Sequence, residues 1–199
     1  MGKLGWTILV IILMVAGLFL SLLSFSDAPP GGVRERVRAR VSEELPKLVQ
    51  SSTRLLVPVR DLPPGAIVPS WGDARGGGVR SHQGTDIAAP RGQPVVAAAA
   101  GTVEKLFQSR AGGTTLYVRS PDRRMSYYYA HLAGYAPGMR EGLRVSAGDH
   151  LGYVGDTGNA GAGNYHLHFG VSRLSTGDRW YQGEPVDPYP LLARGQVAR

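Results

Sequence analysis

Tyr165-His166-Leu167-His168-Phe169-Gly170-Val171 reads as a β-strand with two chemically different faces. Successive side chains of a strand point to opposite sides. Leu167 and Phe169 therefore face a core, while His166 and His168 project together from the other side. Two imidazoles on one strand face are a natural start for a metal site. The chain has only five histidines, and His82 and His131 lie in two further short patterns. These are His82-Gln83-Gly84-Thr85-Asp86 and Tyr129-Ala130-His131-Leu132.

The first of these patterns follows the glycine stretch Gly76-Gly77-Gly78. Gly84 lets the backbone bend so that His82 and Asp86 converge. Two neutral imidazoles and a carboxylate suit zinc with an open fourth position. Such a site polarises a carbonyl and brings the pKa of a water to about 7. Two more histidines then orient the water, stabilise developing charge or carry protons. Spacing leaves open whether His166 or His168 is the ligand. His150 fits neither pattern and reads as a surface or structural histidine.

Outward from these motifs the texture is that of a β domain. Short runs at 56–59, 66–68, 94–99, 101–107, 114–119, 125–130, 150–154 and 166–171 are separated by Gly, Pro, Asn and Asp. Many short strands at close spacing predict an all-β sheet or barrel-like unit. There is no repeat of 20–50 residues to suggest a solenoid. The 199 residues suffice for one medium domain plus an attachment segment. With no cysteine in the chain, disulfides and thiolate-bound zinc are excluded.

The N-terminal part differs. Trp6 to Phe25 is an uncharged, mostly apolar run of 20 residues. At 1.5 Å per residue, about 20 helical residues cross the ~30 Å hydrocarbon core of a bilayer. Residues 1–26 are expected to be a transmembrane signal anchor, with a cleaved signal peptide as the alternative. Arg34, Arg36, Arg38 and Arg40 follow the span and only Lys3 precedes it. The positive-inside rule then favours a cytoplasmic C-terminal side, against the export expected of the domain below. Residues 27–54 read as a linker with a short basic amphipathic helix, on which Val33, Val37, Val41, Leu45 and Leu48 recur at helical spacing. Ser51-Ser52-Thr53 marks the next boundary, and 193–199 are expected as a flexible tail.

The order of motifs resembles the catalytic domain of the M23 (lysostaphin/LytM-type) zinc metallopeptidases, which are peptidoglycan endopeptidases. The resemblance runs from about residue 56 to 191. It is carried by Ser70-Trp71-Gly72-Asp73-Ala74-Arg75, His82-x-Gly84-x-Asp86 and Tyr128-Tyr129-Ala130-His131-Leu132. It continues in Gly152-x-x-Gly155-x-Thr157-Gly158-Asn159, His166-Leu167-His168-Phe169 and Pro185-Val186-Asp187-Pro188. It implies a mainly antiparallel β-sheet domain of the duplicated hybrid motif type over 55–192. It further implies one Zn2+ held by His82, Asp86 and His168, with His131 and His166 as the catalytic, non-ligand pair.

The implied substrate is the stem or cross-link peptides of peptidoglycan, with the domain tethered to a bacterial inner membrane and facing the periplasm or wall. The alternative is a non-catalytic LytM-type scaffold or amidase activator. Relatives with that role have usually lost site residues, and none is lost here. Residues 119–124 replace a His-Gly turn common in relatives, with little expected consequence. The net charge of +7 suits anionic wall polymers or membrane surfaces. No nucleic-acid module accompanies it, so nucleic acid is not an expected partner.

Overall fold

The computed structural model describes residue 38, residues 55–75 and residues 77–198. The expected anchor at Trp6–Phe25 and nearly all of the linker lie outside the described residues. Among the described residues, no helix is long and apolar enough to cross a membrane.

The unit from Thr53 to Arg199 is mainly β. Eleven strands follow in chain order: β1 (Ala74–Arg75), β2 (Arg80–Ser81), β3 (Thr85–Ala88), β4 (Pro94–Val96), β5 (Gly101–Ser109), β6 (Gly113–Arg119), β7 (Met125–Tyr135), β8 (Arg144–Val145), β9 (His150–Val154), β10 (His166–Arg173) and β11 (Glu184–Val186). Among the described residues of this unit one short α-helix, α1, spans Tyr189–Leu192. β1 and β2 form a separate hairpin, and the other nine strands make one antiparallel sheet. Its main path runs β11-β10-β7-β6-β5-β8.

β10 organises the site. One edge pairs with β7 over Ala130 to Met125. Its other edge pairs first with β3, His168 opposite Asp86, and then with β11. The two-faced reading of this strand holds: Leu167, Phe169 and Val171 are buried in the main core. Around them pack Ile87, Leu116, Val118, Tyr127 and Tyr129 from the neighbouring strands. Tyr129 is wholly buried, and its hydroxyl accepts a hydrogen bond from the Ala98 amide at 2.9 Å. That contact satisfies the polar end of an otherwise apolar side chain.

Two expected strands do not form as ladders. Residues 66–68 follow a 3-10 turn at Pro64–Ala66, because Pro63 and Pro64 fix φ in the range a helical turn uses. Residues 56–59 contribute one bridge, Val59 to Val95, since Pro58 lacks an amide donor. The amides of this segment find other partners. Leu56 donates to Ala98 at 2.8 Å, Val57 to Gln196 at 3.1 Å and Asp61 to Ala198 at 2.8 Å. Gln196 and Ala198, in the segment expected as a flexible tail, are the acceptors of two of these bonds, and Ala198 is buried. Donors of a buried extended segment must be paired, and the C-terminal residues supply the acceptors.

Candidate functional site

The polar face of β10 opens into a groove of about 920 Å³. Its floor is the His-Asp cluster. His168 and Asp86 are cross-strand partners, so the ladder itself brings their side chains together. His82 lies just before β3, held by its amide to Asp73 O and by its carbonyl to the Gly72 amide, both at 2.9 Å. His82 Nε2, His168 Nδ1 and Asp86 Oδ1 form a triangle with edges of 2.9, 3.0 and 3.1 Å.

The donors are prepared for a cation. His82 Nδ1 lies 2.6 Å from the Ser70 carbonyl oxygen, which can only accept, so Nδ1 carries the proton and Nε2 keeps its lone pair. Arg75 donates to Asp86 Oδ2 at 2.6 Å, which leaves Oδ1 as the free oxygen. The Asp86 amide is held by Ser70 Oγ at 3.0 Å. One proton on His168 Nδ1 satisfies only one of its two neighbours, whereas a cation at the centre satisfies all three. A tetrahedral zinc site with bonds near 2.0–2.1 Å needs ligand atoms about 3.3 Å apart, so small outward shifts accommodate it. His82, Asp86 and His168 are also the one group of metal-ligating side chains among the described residues that converges in this way.

Burial alone raises the Asp86 pKa. The His168 hydrogen bond and the nearby His168, His82 and His166 charges outweigh it and bring the value down to about 2. Asp86 is therefore an anion at any physiological pH. Gly84 makes room for this arrangement: a Cβ there would lie 2.6 Å from His168 Cε1 and 2.9 Å from Phe169 O.

His131 and His166 stand on the opposite side, with ring centroids 4.8 Å apart, and both line the groove. His166 Nδ1 lies 2.9 Å from Asn164 O, and His131 Nδ1 lies 2.7 Å from Thr157 O. Each Nδ1 is thereby the protonated nitrogen, and each Nε2 keeps a lone pair. His166 Nε2 is 3.9 Å from Asp86 Oδ1, close to the cluster without being part of its triangle. Burial pushes His131 down to about 4, and the Thr157 hydrogen bond only partly opposes it. A neutral imidazole with a fixed tautomer is suited to accepting a proton.

His131 is placed by an unusual local structure. It has a φ of +60°, which a non-glycine residue rarely adopts. The strain is held by the loop at 155–159 crossing close to Gly112 and Gly113. His131 N donates to Gly112 O at 2.8 Å, and Thr157 Oγ1 bridges Leu132 O and the Thr114 amide at 2.9 and 3.0 Å. Gly158 has a φ of +74°, and a Cβ there would meet Gly113 N at 2.3 Å. Only glycine permits backbones to cross so closely.

All five expected site residues thus meet at one groove. Sequence reasoning assigned no role to Arg75, Ser70, Asn164 or Thr157. Arg75 and Ser70 stood within a quoted motif, but their contacts are long-range. Ser70, Asn164 and Thr157 act through backbone oxygens, which carry no side-chain signature. Of the neighbouring aromatics, Tyr127 and Tyr129 are buried, whereas Tyr128 lines the groove. Tyr165 is partly buried against the core. His150 Nε2 donates locally to Gly152 O at 2.9 Å, away from the groove. The 119–124 turn carries a buried ion pair between Arg119 and Glu104, and Arg119 donates to Asp178 O at 2.9 Å. That contact steadies the loop bearing Trp180, which also lines the groove.

Comparison with known proteins gives the family. The chain is 40% identical over 129 residues to the L-Ala--D-Glu endopeptidase of Bacillus subtilis (strain 168), covering 62% of this chain and 38% of that protein. It is 32% identical over 103 residues to the peptidoglycan DD-endopeptidase ShyC of Vibrio cholerae, covering 52% of this chain and 23% of that one. The matches therefore span well under half of these relatives' lengths. Among solved structures, the catalytic domain of the antimicrobial peptidase lysostaphin from Staphylococcus simulans is similar, with a TM-score of 0.53 and 28% identity over 63% of this chain and 90% of that one. LytU is similar with a TM-score of 0.52 and 31% identity, covering 63% of this chain and 82% of that chain. The sequence profile of peptidase family M23 matches residues 80–188, more than half of the chain, and the chain belongs to that family.

Proposed function

We propose that this protein is a zinc-dependent endopeptidase that hydrolyses stem or cross-link peptides of bacterial peptidoglycan. The observation that carries the proposal is the convergence of His82 Nε2, Asp86 Oδ1 and His168 Nδ1 within 3.1 Å of one another, facing two further histidines across one groove. His82, Asp86 and His168 would hold the metal. Bound there, zinc supplies Lewis acidity toward a peptide carbonyl and toward water.

The remaining residues have roles that follow from their protonation. His131, neutral and with Nε2 open, accepts a proton from the attacking water and returns it to the leaving amine. His166 holds the water or the developing oxyanion by hydrogen bonding from the same side. Arg75 binds Asp86 Oδ2 and so limits the carboxylate to one free oxygen. Ser70 and Thr157 fix the imidazole tautomers through their carbonyls.

The domain layout is part of the proposal. The apolar run from Trp6 to Phe25 supports an N-terminal anchor at 1–26 in the inner membrane, followed by a linker at 27–54. Residues 55–192 form the peptidase domain, facing the periplasm or wall where its substrate lies.

The test is incubation of the zinc-loaded full-length chain with purified sacculi of different wall types, with mass spectrometry of the released fragments. Fragments ending in new peptide termini are expected. Release confined to glycan cuts, or no release from any wall, would overturn the assignment.

A further inference from the structure

The groove's lining differs in charge from part to part. In one part, β1 and β2 place Arg75 directly opposite Arg80 in antiparallel register. Directly opposed residues of such a pair share a face, with Cβ atoms about 4.5–5.5 Å apart, and like charges there repel. Both side chains line the groove. Arg75 is neutralised by Asp86, while among the described residues Arg80 has no ion-pair partner. Another part of the lining is uncharged: Tyr117, Tyr128 and Trp180, with Tyr117 tilted against Tyr128 and edge to face with Trp180. Among the described residues Asp86 is the sole carboxylate lining the groove, and its oxygens are committed to Arg75 and to the histidine cluster.

From this arrangement we infer that Arg80 is a specificity residue that binds a free carboxylate of the substrate peptide. The carboxylate sits on the β1–β2 side of the scissile bond, and the uncharged part of the peptide lies against the aromatic lining. The inference rests on the peptidase reading above. Arg75 is already paired with Asp86, so an anion beside the hairpin meets the uncompensated charge of Arg80, whose planar guanidinium offers it a paired set of donors. Ser81 and Gln83, which also line the groove, add neutral polar contacts. A substrate whose carboxylate is replaced by a carboxamide loses the charge-assisted part of this contact.

The test uses two synthetic stem peptides, identical except for one free carboxylate or its carboxamide. Binding to the zinc-loaded full-length chain is measured by calorimetry, and cleavage is measured separately. The wild type is expected to prefer the carboxylate by roughly tenfold, the size of one charge-assisted hydrogen bond. In Arg80→Gln the preference falls to near unity, while the carboxamide peptide binds as it does to the wild type. Arg80→Lys keeps part of the preference. Equal weakening of both peptides in Arg80→Gln, or an unchanged preference, overturns the inference. If neither peptide is cleaved but the binding preference and its loss in Arg80→Gln are seen, the peptidase reading fails and the carboxylate site stands.

Discussion

The two halves of the groove are built by different means. On one side, His168 and Asp86 face each other because they are register partners of adjacent strands. On the other, His131 sits at a positive φ and is held by a backbone crossing at Gly112–Gly113 and Thr157–Gly158. The first arrangement follows from a ladder, which the core face of the same strands already fixes through Leu167, Phe169 and Ile87. The second depends on a loop 26 residues away in sequence from the histidine it orients. The ladder half is suited to holding a cation rigidly. The loop half holds His131, whose Nδ1 faces the Thr157 carbonyl, while His166 is carried by β10 itself opposite Ala88. Separate tasks in one groove thus rest on separate structural supports, and they should fail separately.

The largest expected effect lies on the loop side. His131→Ala should lower kcat by about 10²–10⁴-fold, the usual contribution of a positioned acid–base group. Its zinc content, measured after equilibrium dialysis, should equal that of the wild type. Parallel loss of metal would mean that the two halves are not independent.

Next in size is a change on the ladder side. Arg75→Gln frees Asp86 Oδ2 and removes the partner that orients the carboxylate. Zinc affinity, read by competition with a chromogenic chelator, should fall by about 10–100-fold. Unaltered affinity would show that the ladder alone orients Asp86.

The backbone crossing offers a smaller, structural test. Gly158→Ala places a side chain at a φ of +74° and against Gly113 N. Stability in urea melts should drop by about 1–3 kcal/mol, the usual cost of such strain. The kcat should fall with it, while zinc affinity stays near that of the wild type. Full activity in this variant would separate the crossing from the placement of His131.

The smallest effect is on the pH dependence of the chelated protein. His131 has a folded pKa of about 4 against an ordinary value of 6.5. Between these values the unfolded chain binds more protons, so stability falls as pH drops from 6.5 toward 4. Asp86, at about 2 against 3.8, has a depressed value, so its contribution is present above 3.8 and is lost as pH falls toward 2. His131→Gln should flatten the upper window and leave the lower one. Urea melts at pH 7 and pH 4.5 read the upper window, and further melts below pH 3.8 read the lower one. An unchanged slope would contradict the buried, neutral state of His131.

This contrast also explains what the sequence made legible. The alternation in His166-Leu167-His168-Phe169 named the strand, its core face and its polar face, because strand periodicity is local. The choice between His166 and His168 was not local. It depends on which residue opposes Asp86, and spacing within one strand cannot show that. The roles of Ser70, Asn164 and Thr157 were hidden for a related reason, since their carbonyls do the work and any residue type supplies one. Residues 56–59 and 66–68 were misread as strands because their apolar content is strand-like while their prolines remove donors or set a turn. The C-terminal residues were read as loose for want of periodicity, yet they pair with the amides of Val57 and Asp61.

The central claim is that His82, Asp86 and His168 hold a zinc ion on which peptide hydrolysis depends. Its most direct test is cleavage of purified peptidoglycan by the full-length chain as isolated, after chelation and after zinc is restored, with His168→Ala alongside. The account predicts release of peptide fragments that stops on chelation, returns with zinc and is absent in His168→Ala whatever the zinc supplied. Cleavage indifferent to the chelator, or undiminished in His168→Ala, would contradict it.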